Sequence, residues 1–373
     1  MLVIFSISKI KEEVEKCTYC NKCLSVCPTY INLEEELLSP PKRIDIAKKI
    51  INNEKITQEE FNSIYSCPKC GTCTLACPQE IDVSEIITVL RIELRKQGYS
   101  LLENHQRICN SIQNNMNSVN KSPDIRWDWV KNPELFEKSS STLFFVGCLP
   151  CYFLKEGAQA TIDLLNALNI DFRLYKDEGC CGSFYLDVGN LNDAEKLYKQ
   201  NLDKFDDLGI KELIVTCAGC YKAFKKFYPL VIGESIPVKH IIELAYDALK
   251  KGNLKFIKSN EIVTYQDPCH FGRGFKFFDE PRELLKQACN YVDMDNIREN
   301  SICCGANSAV RAAFRDISMK IALKRLEEAE KKAPLLVSSC AFCTFNLSYA
   351  ARKNERPIKV RYITEVLAEN IKK

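Results

Sequence analysis

Eight cysteines near the N-terminus fall into two identical arrays, Cys17, Cys20, Cys23 and Cys27-Pro28, then Cys67, Cys70, Cys73 and Cys77-Pro78, each reading CxxCxxCxxxCP. Thiolates at this spacing let one tight loop wrap three corners of a 4Fe-4S cubane, while the fourth cysteine, ahead of proline, reaches the neighbouring cluster. The spacing therefore predicts two cubanes, one on Cys17, Cys20, Cys23 and Cys77 and the other on Cys67, Cys70, Cys73 and Cys27. Zinc also takes four thiolates, but from two CxxC pairs, and has no use for a third close cysteine or for the CP ending.

A second kind of array follows. Cys148 is separated by 31 residues from Cys180-Cys181-Gly182, which is separated by 35 from Cys217-x-x-Cys220. Cys269 is separated by 33 residues from Cys303-Cys304-Gly305, and that by 35 from Cys340-x-x-Cys343. Each array offers five thiolates from three loops, one more than a cubane or a tetrahedral zinc can use. Adjacent cysteines splay apart along extended backbone, and the glycine after them permits close backbone approach. A large, open cluster is the expectation. Three of the 21 cysteines, Cys109, Cys151 and Cys289, stay outside these arrays and read as small buried hydrophobes.

Twenty-one cysteines suit metal and redox work rather than disulfides if the compartment is reducing. The start, MLVIFSISKIKEEVEKC, has a short apolar run with no basic region ahead of it and no small-residue cleavage site after it. No apolar run approaches the roughly 20 residues of a membrane helix. The expectation is a cytoplasmic chain with no membrane span of its own. Its 52 basic and 49 acidic residues balance too closely for a nucleic-acid footprint, so any basic residues that matter act locally.

The elements that must position these thiols follow from periodicity. Residues 1–98 hold helix-like stretches, Ile44 to Ile51 and Val83 to Arg95, with turns at the cysteines, and read as a small α-helical ferredoxin-like domain. Helices must fill the 39 residues between Cys27 and Cys67. Residues 99–141, rich in Asn, Ser, Gln and Lys, read as a connection lying over the surface. Beyond them LFFVG, ELIVT, EIVTY and LLVS read as buried strands, each ending near a cysteine or near Asp267. Helical faces run Leu191, Ala194, Tyr198, Leu202, Phe205 and Val310, Phe314, Ile317, Ile321. The CC pair and the CxxC pair both recur after 123 residues, which predicts two duplicated α/β lobes with parallel strands, 142–253 and 254–373, and a site between them.

The two arrays together resemble the CCG-domain iron-sulfur family, and within it the heterodisulfide reductase catalytic subunits that carry ferredoxin-type and CCG-type parts on one chain. The resemblance covers residues 1–98 and 143–373. It implies a noncubane 4Fe-4S cluster on Cys148, Cys180, Cys181, Cys217 and Cys220 and another on Cys269, Cys303, Cys304, Cys340 and Cys343, with the mixed disulfide of coenzyme M and coenzyme B reduced between them. The sequence departs from the family after the second CCG, where family members are often Gly-rich and this chain reads Gly305-Ala306-Asn307-Ser308.

Disulfide reduction consumes two protons, and histidine is the side chain suited to supply them near neutral pH. Of three histidines, His270 adjoins Cys269, His105 lies in the connection, and His240 heads a helix after Pro237. His270 is thus the expected proton donor, with hydrogen bonding to a cluster sulfur the other reading. The anionic disulfide implied by the resemblance calls for cations, and Lys222, Arg273, Lys276 and Arg311 are the candidates. The runner-up function is an electron relay resembling the iron-sulfur subunits of flavin-linked glycolate, lactate or glycerol-3-phosphate dehydrogenases. The chain shows neither GxGxxG nor a Walker loop, so a partner must deliver electrons, either a flavoprotein or a membrane cytochrome to which the chain would be peripheral.

Overall fold

Ser6, Ser39, Thr57 and Asp82 each accept a hydrogen bond from a first-turn N–H of the helix that follows, and so start the helices Ile7–Glu15, Pro40–Ile51, Gln58–Ser66 and Val83–Lys96. In the computed structural model, which describes residues 5–372, these helices bury Ile10, Ile44, Phe61, Ile64 and Leu90 against one another. The apolar start of the chain lies, over residues 1–4, outside the described residues. Helices fill the interval between Cys27 and Cys67, as its length requires. The cysteines occupy helix ends: Cys67 closes Gln58–Ser66, and Cys27 opens Pro28–Leu33, where a proline at the first helical position needs no N–H partner.

The stretch 99–141 is not a solvated connection. It holds a helix, Glu103–Asn115, and short 3-10 turns at Pro123–Ile125 and Pro133–Phe136, and it buries His105, Cys109, Asn117 and Arg126. Its polar composition concealed this because the buried polar groups find partners within the protein, Asn117 among its neighbours in sequence and Arg126 in a distant carboxylate. Asn117 Nδ2 donates to the carbonyls of Asn115 and Lys121 at 2.8 Å, and its Oδ1 accepts from the amides of Val119 and Lys121. Arg126 pairs with buried Glu178, whose carboxylate accepts from the amides of Val146 and Gly147 at 2.8 and 2.9 Å. The segment thereby braces the turn that presents Cys148.

The two lobes repeat one another. Strands β1 (Thr142–Phe145), β2 (Glu212–Val215) and β3 (Val238–His240) form a parallel sheet in that order, extended at the β1 edge by a parallel bridge from Leu143 to Arg173. Strands β4 (Ile262–Gln266), β5 (Asn290–Tyr291), β6 (Leu335–Ser338) and β7 (Lys359–Tyr362) form a parallel sheet in the order β5-β4-β6-β7. Helices cover these strands, so their inner residues are buried on both faces and read as unbroken apolar runs. The short strands β3, β5 and β7 carry no such run and left no signal in the sequence. The face Leu191 to Phe205 is one helix, Leu191–Asp207, whereas the second expected helix breaks at Phe314 into Val310–Ala313 and Arg315–Glu330.

The three parts dock closely. Arg91, on Val83–Lys96, donates to the carbonyls of Ile64, Tyr65 and Cys67 in its own domain, of Asp187 in the first lobe at 2.7 Å, and of Ser308 in the second at 3.0 Å. Gly189 approaches the same helix so closely that a Cβ would lie 2.3 Å from the Arg91 carbonyl oxygen. Between the lobes, a Cβ on Gly157 would lie 2.8 Å from that of Tyr362. No helix among the described residues is long and apolar enough to cross a membrane.

Candidate functional site

Cys17, Cys20, Cys23 and Cys77 line one small void in the N-terminal domain, and Cys27, Cys67, Cys70 and Cys73 line a second. Each void therefore receives three cysteines of one array and the last of the other, a donor set that fits a 4Fe-4S cubane. The two voids differ in exposure. Cys20 is exposed and the neighbouring Tyr19 ring is 40% exposed, whereas Cys27, Cys67 and Cys70 are buried. Thr29 Oγ1 lies 3.1 Å from Cys27 Sγ, and Thr72 Oγ1 lies 3.2 Å from Cys70 Sγ.

In the lobes three strand ends hand a cysteine to a helix start. Cys148 opens Cys148–Phe153 after β1, Cys217 caps Ala218–Lys222 after β2, and Cys340 caps Ala341–Lys353 after β6, with Cys220 and Cys343 in the first turns. The ten thiols adjoin one another in a continuous series. In the first lobe it runs Cys148, Cys180, Cys181, Cys220, Cys217. It crosses to the second lobe from Cys217 to Cys340 and continues through Cys343, Cys304 and Cys303 to Cys269. Cys303 also meets Cys70 of the N-terminal domain. Such a run of soft donors, five to a lobe, fits iron-sulfur clusters larger than one metal ion. Cys109, Cys151 and Cys289 stand outside the series and are buried, Cys151 beside the Arg126–Glu178 pair, and burial pushes the Cys289 thiol up to about 11.

Two cavities open on these thiols, and they are not equivalent. The first, of about 310 Å³, lies between the lobes and is walled by all five first-lobe cysteines together with Leu149, Phe153, Phe342 and Phe345. Arg311 reaches it from the second lobe, donating to Asn346 Oδ1 at 2.5 Å and stacking 4.5 Å from the Tyr349 ring centroid. Arg315 and Asp187 also line it. The second, of about 320 Å³, lies where the three parts meet and touches Cys70 and Cys269.

His270, Lys222 and Arg273 line the second cavity, apart from the first. The His270 Nε2 faces two N–H donors, Lys222 Nζ at 3.2 Å and Asn307 Nδ2 at 2.5 Å, so it accepts and carries no proton there. Burial, and then the Lys222 charge, hold the imidazole well below its ordinary value and hence neutral, while burial pulls the Lys222 ammonium down to about 7. This arrangement departs from the expected proton donor. Arg273 is largely committed to the backbone, Nε donating to the Cys70 carbonyl at 2.7 Å and Nη1 to those of Glu299 and Ser301, while its buried Nη2 has no partner among the described residues. Lys276 is exposed in a left-handed turn and lines neither cavity. His240 starts Ile241–Lys250 as expected, its Nδ1 accepting from the Ile242 amide.

Asp187 and Lys69 escaped sequence reasoning because no motif marks them, and Asn307 lay in the sequence that departs from the family after the second CCG. Asn307 donates to the Pro68 carbonyl at 2.9 Å and lies 3.8 Å from Cys269 Sγ, which ties the second lobe to the N-terminal domain beside the thiols. Burial opposes ionisation of Asp187, but the Lys69 and Lys222 ammonium groups outweigh it and hold the carboxyl well below its usual range.

The cysteine-rich CCG domain family matches residues 142–225 and 263–348, and the 4Fe-4S dicluster domain family matches residues 13–81. The chain is 31% identical to the D subunit of the dihydromethanophenazine:CoB–CoM heterodisulfide reductase of Methanosarcina mazei, over 96% of this chain and 94% of that one. It is 28% identical to the B subunit of the CoM/CoB fumarate reductase of Methanothermobacter marburgensis, over 95% of this chain and 72% of that one. With the EtfAB:quinone oxidoreductase of Syntrophomonas wolfei it shares 25% identity over 95% of its own length and 58% of the other. One dicluster domain, two CCG lobes in tandem and near full-length similarity to the heterodisulfide reductase relative agree: this chain belongs to the CCG-domain iron-sulfur family, as an oxidoreductase component related to heterodisulfide reductase D.

Proposed function

We propose that the chain is the disulfide-reducing component of an iron-sulfur oxidoreductase and that a small anionic disulfide, such as the CoM–CoB heterodisulfide, is cleaved in the cavity between the lobes. The observation that carries this reading is the composition of that cavity's wall: five cysteines, an aromatic and aliphatic lining, and the Arg311 guanidinium. Two cubanes on the N-terminal cysteines and two noncubane 4Fe-4S clusters on the lobe cysteines would supply the one-electron chemistry.

Arg311 would hold the anionic end of the substrate by charge-assisted hydrogen bonds, pre-oriented by its stacking on Tyr349. Leu149, Phe153, Phe342 and Phe345 would exclude water from the sulfur-sulfur bond. Two electrons and two protons convert the disulfide to two thiols. His270 would serve as a positioning residue, holding Lys222 and Asn307 at the junction. Electrons would come from a flavoprotein or a membrane cytochrome, with the chain in the cytoplasm or peripheral to that partner.

Anaerobically prepared chain should carry about 16 irons, four for each of four centres, and should couple oxidation of a reduced viologen dye to the appearance of both thiols from the heterodisulfide. A fully loaded chain that releases no thiol would overturn the assignment. A second reading, an electron relay, draws on the similarity to the EtfAB:quinone oxidoreductase and on the unbroken thiol series from Cys70 to Cys148. It predicts dye oxidation by a quinone or flavoprotein acceptor and no thiol product.

A further inference from the structure

Arginine stays charged in proteins, so each buried guanidinium needs a counter-charge or a full set of acceptors. Five arginines are buried among the described residues, and three have a carboxylate partner: Arg126 with Glu178, Arg282 with Asp267, and Arg325 with Glu328. Arg43 and Arg91, 2% and 0% exposed, have none among the described residues. Their donors go to carbonyls and hydroxyls, which solvate a cation but do not neutralise it.

Both lie against the same cysteine set. Arg43 Nη1 is 3.9 Å from Cys27 Sγ and 3.1 Å from Thr29 Oγ1, and its other donors reach the Ser63 carbonyl and Ser66 Oγ. Arg91 Nη2 donates to the Cys67 carbonyl at 2.8 Å. The set of Cys17, Cys20, Cys23 and Cys77 has no buried cation among the described residues; Lys48, the base beside it, is partly exposed and hydrogen-bonded to Tyr19 Oη at 2.8 Å.

We propose that Arg43 and Arg91 are the built-in counter-charge of the cluster on Cys27, Cys67, Cys70 and Cys73, and that they make it the higher-potential cubane of the pair. The assignment rests on the two-cubane reading above. A four-thiolate 4Fe-4S cluster is anionic and gains a further negative charge on reduction, so burial alone would make the inner centre the harder to reduce. Two adjacent guanidiniums reverse that order, because a fixed cation in a low-dielectric surrounding favours the more negative state. The electron then rests beside Cys70, where the N-terminal domain meets Cys303.

The test is a potentiometric titration of the full anaerobic chain followed by electron paramagnetic resonance, with a freely diffusing dysprosium chelate that speeds relaxation of the exposed centre. The chelate-insensitive cubane should have the more positive potential. Arg43→Gln should retain its iron and lower the reduction equilibrium constant of that centre at least tenfold, about 59 mV for a one-electron couple, with the chelate-sensitive centre unmoved; Arg43→Lys should recover much of the shift. A chelate-insensitive centre of lower potential in the unaltered chain overturns the proposal, and so does an unshifted centre in iron-loaded Arg43→Gln. If Arg43→Gln does not load, the unaltered chain and Arg43→Lys decide by the order of their two potentials. Fewer than two cubane signals in the unaltered chain would overturn the two-cubane reading as well, whereas two signals in the wrong order overturn this assignment alone.

Discussion

Lys69 of the N-terminal domain and Asp187 of the first lobe form an ion pair at 2.7 Å with side chains 1% and 8% exposed. Asp187 also accepts from Ser308 Oγ of the second lobe at 3.3 Å, so one carboxylate joins all three parts. Replacing it leaves a buried ammonium without its partner. Asp187→Asn should destabilise the chain by roughly 3–5 kcal/mol, measured by urea unfolding under argon. The carboxyl is depressed in the fold, so its contribution is complete above the ordinary aspartate value and fades as pH falls below it. The difference between variant and parent should therefore hold or grow from about pH 8 to about pH 5, as Lys222 protonates near 7 beside the carboxylate, and shrink only below about pH 4. A difference that shrank between pH 8 and pH 5 would show that the pair is not what holds the junction.

Gly189 combines a φ of +81° with a Cβ path that ends 2.3 Å from the Arg91 carbonyl oxygen, whereas Gly209, with a φ of +67°, has open space around it. Both positions disfavour a side chain on backbone grounds, by about 1–2 kcal/mol. Only Gly189 adds a collision with rigid helix backbone. Gly189→Ala should lower the melting temperature well beyond Gly209→Ala and loosen amide-exchange protection along Val83–Lys96. Equal effects of the two substitutions would remove the close approach as a constraint.

Arg311 lines the first cavity with its guanidinium stacked on aromatic rings. A charge-assisted hydrogen bond is worth about 1.5–3 kcal/mol, so Arg311→Leu should raise KM for the heterodisulfide roughly ten- to hundredfold, with iron content unchanged. Arg311→Lys should fall between, because a lysine keeps the charge and loses the planar stack. Unchanged KM in Arg311→Leu would move the anion site to Arg315.

His270 presents an accepting Nε2 to Lys222 and Asn307. Glutamine can accept through its Oε1, so His270→Gln should keep turnover within a few-fold and leave the pH profile of kcat in place. His270→Leu removes the acceptor from a partly buried ammonium and should cost about 1–3 kcal/mol of stability. A loss of a hundredfold or more with a flattened profile in His270→Gln would restore the imidazole as the proton donor.

The cysteine arrays were legible in the chain because their spacing is local: three thiols of each N-terminal set lie on one loop, and each CxxC lies at the first turn of one helix. The parallel lobes were legible for a similar reason, since a strand buried on both faces must be apolar at every inner position. The repeat of 123 residues announced the duplication. What the duplication could not announce is that the two lobes differ in their surroundings. The first-lobe thiols wall the cavity that Arg311 enters, and Cys269 and Cys303 of the second lobe lie against Cys70 of the N-terminal domain. That difference arises from docking, in which Arg91, Lys69 and Asp187 meet across more than 90 residues of sequence. Segment 99–141 hid its burial partly for the same reason: Asn117 satisfies its polar groups within a few residues, but Arg126 needs Glu178, which only the folded chain brings near. The local arrays determine which thiols gather in one place; the long-range packing of charged and backbone groups decides which of them face the cavity between the lobes and which face another cysteine set.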